Sequence, residues 1–177
     1  MKLKSLKFKS VKSTNDIALM LIKKDNIKPS IILSERQTKG RGTMGKKWIS
    51  KKGNLFLSIF FDMSQKKIDF KKFAIINAYF LKSILVKKFS NKIKIKWPND
   101  LLFKKKKICG ILQETVFYFN KKFLIIGIGL NVIKSPTIAN YPTTNLYEIT
   151  GKKFTYKLIA KSLKLNFEKE FLKILKG

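Results

Sequence analysis

The chain has no histidine and only one cysteine, Cys109. Without those residues the usual zinc ligand sets cannot be assembled. Neither can a Ser-His-Asp or Cys-His nucleophile. One thiol cannot close an internal disulfide, which fits a cytoplasmic protein. Any chemistry must therefore run on positioning and electrostatics. Arginine is also scarce: of 40 basic residues only Arg36 and Arg41 are arginines, and 10 acidic residues leave a net charge of +30. A polyanion partner is one reading of that charge. The other is compositional, because a chain rich in Lys, Ile, Phe and Asn is what AT-biased coding writes. A nucleic-acid binder leans on the arginine fork, so specific DNA binding is not expected. No apolar run reaches the length of a membrane span. Residues 1–10 alternate lysine with apolar residues and lack the apolar stretch of a signal peptide.

What is present suffices for a core: 177 residues, 45% of them hydrophobic, read as a single domain over 1–177. Leu3, Leu6 and Phe8 suggest a first strand. Ser13-Thr14-Asn15-Asp16 ahead of an apolar-periodic stretch is a helix-start signal. Residues 30–34 and 54–61 read as buried strands. The polar, glycine-bearing stretch 35–53 between them is long for a connection without a function. Residues 69–89 carry Phe73, Ile76, Phe80, Ile84 and Leu85 at helical spacing. Ile93 and Ile95, the pair 101–103 and 108–119 around a lysine turn, and 122–131 supply further strands. A Pro-containing loop at 134–141 and a short segment at 144–149 precede a closing helix, 156–175, with Leu158, Ile159, Leu163, Phe167 and Phe171 among its apolar set. The expected class is α+β: a mixed β-sheet with helices packed on one face.

Three segments carry candidate chemistry. Gln37 to Trp48 holds three glycines, Gly40, Gly42 and Gly45, with Arg41 between the first two. Such a loop lets backbone approach a ligand and adds one guanidinium for a carboxylate, phosphate or ureido carbonyl. It reads equally as a plain flexible loop. Lys96-Trp97-Pro98-Asn99-Asp100 sets an amide beside a carboxylate, and Asp100 could help hold a metal–nucleotide complex. The competing reading is a turn. Lys107 enters an apolar strand ahead of Gly110, where a lysine facing inward would act strongly on a phosphate. Lys104, Lys105 and Lys106 read as a solvated hairpin tip. Gly127 and Gly129 in an apolar strand mark a close approach to the backbone or a bulge, and Asn131 at its end could hydrogen-bond a nucleotide.

Taken in order, Ser13-Thr14-Asn15, Gln37 to Trp48, Gly53-Asn54-Leu55, KWPND at 96–100, Lys107 with Gly110-Ile111-Leu112 and Glu114, and GIGLN at 127–131 resemble the catalytic domain of biotin–protein ligases. The resemblance covers nearly the whole chain, and its most specific part is KWPND with K-x-x-G-I-L. It implies that Ser13, Thr14, Asn15 and Gln37 bind the ureido head of biotin. It implies that Gly40, Arg41, Gly42 and Thr43 close over biotin and its adenylate. It places Lys107, with Gly110 beside it, near the biotin carboxylate and the phosphate, with Lys107 and Arg41 as the catalytic cations. Trp48 and Asn131 would serve the adenine nucleotide, with Asn99 and Asp100 close by. ATP with Mg²⁺ is implied, the metal fixed by no protein cage and lying near Asp100 if anywhere. The implied partners are biotin and a biotin carboxyl carrier domain such as that of acetyl-CoA carboxylase, with no membrane and an open oligomeric state. Thr43 stands where the family commonly has a second arginine, leaving adenylate retention there to backbone contacts. No winged-helix segment precedes the domain and no β-barrel follows it, by this reading. The rivals are a lipoate or octanoate ligase or transferase of the same superfamily, a basic non-enzymatic binding module, and a relative that binds biotin without catalysis.

Overall fold

The computed structural model describes residues 2–64, 69–139 and 141–171. Seven strands form one sheet: β1 (Lys4–Phe8), β2 (Ser30–Ser34), β3 (Leu55–Asp62), β4 (Ile93–Lys96), β5 (Asp100–Phe103), β6 (Lys106–Tyr118) and β7 (Lys121–Leu130). Their order is β1-β2-β3-β7-β6-β5-β4. Only β1 and β2 run parallel, with the helix α1 (Thr14–Lys23) as their crossover; every other neighbouring pair is antiparallel. The sheet is therefore mixed, as expected. The lysine run turns the chain at Lys104 and Lys105, both at positive φ, so β5 and β6 form a hairpin.

Side-chain alternation assigns each strand two faces. On β7, Leu124, Ile126, Ile128 and Leu130 face the larger core, which α2 (Phe70–Lys88) and α4 (Tyr156–Asn166) cover. A π-helical turn, Phe167–Phe171, continues α4 and seats both phenylalanines against Phe80. The sequence reading placed the helices on one face, and this needs correcting. Phe123 and Ile125, with Phe60 of β3 and Ile32 of β2, point the other way and are covered by Ala18 and Ile22 of α1. The reason is local: α1 has its own apolar stripe, and these strands are apolar on both faces, so a helix on each side is needed to keep both dry.

Two smaller expectations also shift. Ser13 occupies the position before α1, but its side chain makes no capping bond. Leu158 is 61% exposed, because the buried stripe of α4 runs Ile159, Leu163, Phe167 at four-residue steps and Leu158 lies about 100° off it. The segment at 144–149 forms a short helix, α3 (Leu146–Thr150), capped by Asn145 Oδ1, which accepts from Glu148 N at 2.9 Å. The expected helix 156–175 is present as far as Phe171; positions 172–175 lie outside the described residues. Among the described residues no helix is long and apolar enough to cross a membrane.

Cys109 lies fully buried on β6. Burial first, and the charge of Asp100 second, push its thiol far above the ordinary range, against a weaker opposing pull from Lys107. The thiolate is the reactive form. A maleimide or disulfide reagent at pH 8 is therefore expected to leave the folded protein unmodified and to titrate one thiol in denaturant. Rapid labelling of the native protein would contradict this packing.

Candidate functional site

The face of β7 that α1 covers changes abruptly along the strand. Phe123 and Ile125 lie under the body of the helix, Gly127 lies against Asn15 in its first turn, and Gly129 lies against Trp48. On β6 the cross-strand partners of the two glycines are Leu112 and Gly110. The sheet is thus bare where α1 begins, and a cavity of about 850 Å³ opens there. Side chains on these glycines would be excluded: a Cβ at Gly127 would overlap the Asn15 amide, and one at Gly129 would overlap the Trp48 indole. At Gly110 a Cβ would come within 2.7 Å of the same indole. Trp48 is laid flat on this floor because the glycine loop folds into a small hairpin, in which Trp48 N–H donates to Gly40 O at 2.9 Å and Gly42 N–H to Lys46 O at 2.7 Å. Its Nε1 is buried without a hydrogen-bond partner among the described residues.

One end of the cavity is lined by neutral hydrogen-bonding groups. Gln37 Oε1 accepts from Thr14 N at 2.8 Å and from Thr14 Oγ1 at 3.1 Å. Ser58 Oγ lies 2.7 Å from Thr14 Oγ1 and 2.5 Å from Asn15 Oδ1. Asn15 Nδ2 donates to Glu114 Oε2 at 2.7 Å. Ser13, Thr14 and Asn15 are all buried at the start of α1. These groups hold each other in fixed orientation, which prepares them for a polar uncharged head group.

The opposite end is cationic. Lys107 Nζ lies 2.7 Å from Asp100 Oδ1, with side chains 18% and 13% exposed. At that burial the pair is little screened by salt. The Tyr141 hydroxyl donates to Asp100 Oδ2 at 2.6 Å. Burial, then that hydrogen bond and the Asp100 charge, push the Tyr141 phenol well above its ordinary range, so it remains a donor at every physiological pH. Lys96 also lines this end. Asn99 Nδ2 donates to Ile111 O at 3.1 Å and reaches Thr43 Oγ1 at 3.4 Å, tying the glycine loop to the KWPND corner.

The structure brings together nearly all of the residues marked in the sequence. Ser13, Thr14, Asn15, Gln37, Arg41, Gly42, Thr43, Trp48, Asn99, Asp100, Lys107, Gly110 and Asn131 all line the cavity. Gly40 does not; it lies buried behind the loop, where a Cβ would press on Trp48 O. Two of these side chains are engaged within the protein. Arg41 is not a free cation: its Nε lies 2.9 Å from Asp16 Oδ1, and Nη1 and Nη2 each lie 2.9 Å from a Glu114 oxygen. It latches the loop to α1 and β6, and meeting a phosphate would require leaving both carboxylates. Asn131 is buried, with Nδ2 donating to Thr144 O at 3.1 Å and Oδ1 3.4 Å from Asn54 Nδ2. Its side chain organises the segment between β7 and α3. The sequence reading gave no role to Asp16, Ser58, Lys96, Glu114 or Tyr141. Ser58 had a signal, a lone hydroxyl in the apolar run NLFLSIFF; Tyr141 had none.

Fold and site define a ligand-binding α+β domain whose cavity joins a neutral polar end to a cationic end across a glycine floor. The chain belongs to the biotin/lipoate A/B protein ligase family, which it matches over residues 7–131. It is 28% identical over 169 residues to the bifunctional ligase/repressor BirA of Bacillus subtilis, covering 90% of this chain and 51% of that protein. It is 34% identical over 102 residues to the protein of the same name from Escherichia coli, covering 56% of this chain and 32% of the other. The structure of the biotin protein ligase from Aquifex aeolicus in complex with biotin and ATP aligns with a TM-score of 0.82 at 28% identity, covering 98% of this chain and 72% of that one. The chain thus spans from about a third to about half the length of these two curated relatives.

The Arg41 latch has a measurable consequence. Glu114→Ala removes both bidentate partners and should free the loop, so trypsin is expected to cut after Arg41 several-fold faster, as charge-assisted bidentate pairs are the strong ones. Unchanged cleavage would show that the latch does not hold the loop.

Proposed function

We propose that this domain is the catalytic domain of a biotin–protein ligase. It would adenylate biotin with ATP to biotinyl-5′-AMP and transfer the biotinyl group to a lysine of a biotin carboxyl carrier protein. The observation that carries this reading is the joining, in one cavity, of a preset neutral polar end and a lysine held at the other end. Biotin has that polarity, with an uncharged ureido head and a terminal carboxylate. The relatives named above point the same way.

The proposed chemistry needs no protein nucleophile. The biotin carboxylate attacks the α-phosphorus of ATP, and pyrophosphate leaves. The acceptor amine then attacks the carbonyl of the mixed anhydride, AMP leaves, and the amine loses its proton. The protein's task is alignment and neutralisation of developing charge. Gln37, Thr14 and Asn15 would fix the head group. Lys107 would meet the carboxylate and phosphate oxygens, and the glycine loop would exclude water from the anhydride. Trp48, with its unpartnered Nε1, supports a nucleotide reading of that wall. Magnesium would arrive with the ATP phosphates. The Asp100 carboxylate faces Lys107 and Tyr141, and among the described residues no group of three metal-ligating side chains stands ready to hold the ion. The lysine-rich surface suits an acidic acceptor.

Lipoate is the second reading. Its head is an apolar dithiolane ring, which would leave the Gln37–Thr14–Asn15 groups facing a surface that cannot hydrogen-bond. ATP-dependent pyrophosphate release with biotin, lipoate and octanoate separates the two. Release with biotin alone is expected, and release with lipoate would move the domain to the sister activity. Lys107→Ala should keep the fold by circular dichroism yet lose release by at least about a hundredfold, the scale seen when a preset charge-stabilising group is removed. Release at the parental rate would remove Lys107 from this role.

A further inference from the structure

The roles assigned so far do not account for Tyr141. It stands on the segment between β7 and α3, and that segment is stitched to the backbone of Lys107 itself. Lys107 N–H donates to Pro142 O at 2.8 Å, and Thr144 N–H donates to Lys107 O at 2.9 Å. Asn131 holds the same segment through Thr144 O. The stitching brings the phenol to Asp100, one carboxylate oxygen to each partner: Tyr141 on Oδ2 and Lys107 on Oδ1. Two ammonium groups also share the Tyr141 ring. Lys96 Nζ lies 4.5 Å from its centroid and Lys107 Nζ 5.4 Å. Lys96 Nζ is also 3.4 Å from the phenol oxygen.

Two like charges do not gather on one ring unaided. The ring's negative face and a single carboxylate offset the repulsion. The phenol also limits that carboxylate. It holds Oδ2 while Lys107 Nζ lies 2.7 Å from Oδ1, which sets the orientation of the carboxylate, and a contact through one oxygen leaves ammonium hydrogens for the cavity. An Asp100 without this hydrogen bond could swing to grip a lysine with both oxygens, and its cation would then be drawn away from a ligand. We infer that Tyr141 is a positioning residue that, through Asp100, keeps Lys107, with Lys96 beside it, directed at the phosphate undergoing transfer. The inference rests on the adenylation reading above. It differs from a mere wall-filling role, which phenylalanine would serve equally well.

The test compares the parent, Tyr141→Phe, Asp100→Asn and the double variant by biotin-dependent ATP–pyrophosphate exchange. Tyr141→Phe keeps the ring and loses the donor. Its kcat should fall about tenfold, the scale of one charge-assisted hydrogen bond, while KM for biotin stays at the parental value because the head group binds at the far end. In the Asp100→Asn background the same change should add nothing, since the effect runs through Asp100. A parental kcat in Tyr141→Phe, a loss confined to the biotin KM, or losses that multiply in the double variant would each overturn the inference. Should the parent show no biotin-dependent exchange, the functional reading falls. The positioning contact is then decided without activity, from the Asp100 carboxyl-carbon resonance in ¹³C-aspartate protein, identified by its loss in Asp100→Asn. A shift of that signal in Tyr141→Phe supports the contact, and an unmoved signal overturns it.

Discussion

The site depends on what β7 does to one of its faces. The strand must remain buried and fully hydrogen-bonded to β3 and β6 along its length, because both neighbours continue beside it. Within that constraint only the side chains can make room. On the face toward α1 the residues go from Phe123 and Ile125 to Gly127 and Gly129, while the opposite face stays apolar through Leu130 and keeps the strand anchored. A cavity therefore forms on the sheet without breaking it. Its walls follow from the same step: Asn15 descends onto Gly127, and Trp48 onto Gly129 and Gly110. Neither approach is open to a chain with a Cβ at those positions.

Charge is distributed with similar economy. A molecule with a net charge of +30 and only 10 acidic residues repels itself over most of its surface. Three of its carboxylates pair with cavity-lining cations: Asp16 and Glu114 with Arg41, and Asp100 with Lys107. Arg41 is matched twice over and serves to fasten the loop. Lys107 is matched once, by a carboxylate whose second oxygen is already taken. The two cations expected to act together are thereby set apart. Arg41 lies between two carboxylates, whereas Lys107 meets one.

Much of this was legible in the residues, for identifiable reasons. The strands were readable because they are short, apolar and bounded by turns, and α2 because its large side chains repeat at helical spacing. The floor of the cavity was readable in Gly127 and Gly129, since glycine inside a strand has few other uses. What escaped was relational. That α1 lies on the opposite face from α2 and α4 depends on the crossover between β1 and β2, which no single segment encodes. That Arg41 is held by Asp16 and Glu114 depends on residues distant along the chain meeting at one loop. Asn131 looked like a ligand group because it ends the glycine strand, yet its amide is consumed in fixing the segment that follows. Tyr141 lay in a loop of no evident pattern, and only the pairing of residues 142–144 with Lys107 reveals what it touches.

The central claim is that the cavity built over the glycine stretch of the sheet, with Asn15 and Trp48 seated on those glycines, receives an acid with a neutral polar head. Calorimetric titration of the folded parent and of Gly127→Ala with biotin tests it most directly. The added methyl group occupies the space of the Asn15 amide. The account predicts saturable binding by the parent and its loss in the variant, with the circular dichroism spectra of the two alike. Equal affinity in both proteins, or a folded parent that binds no biotin, would contradict it.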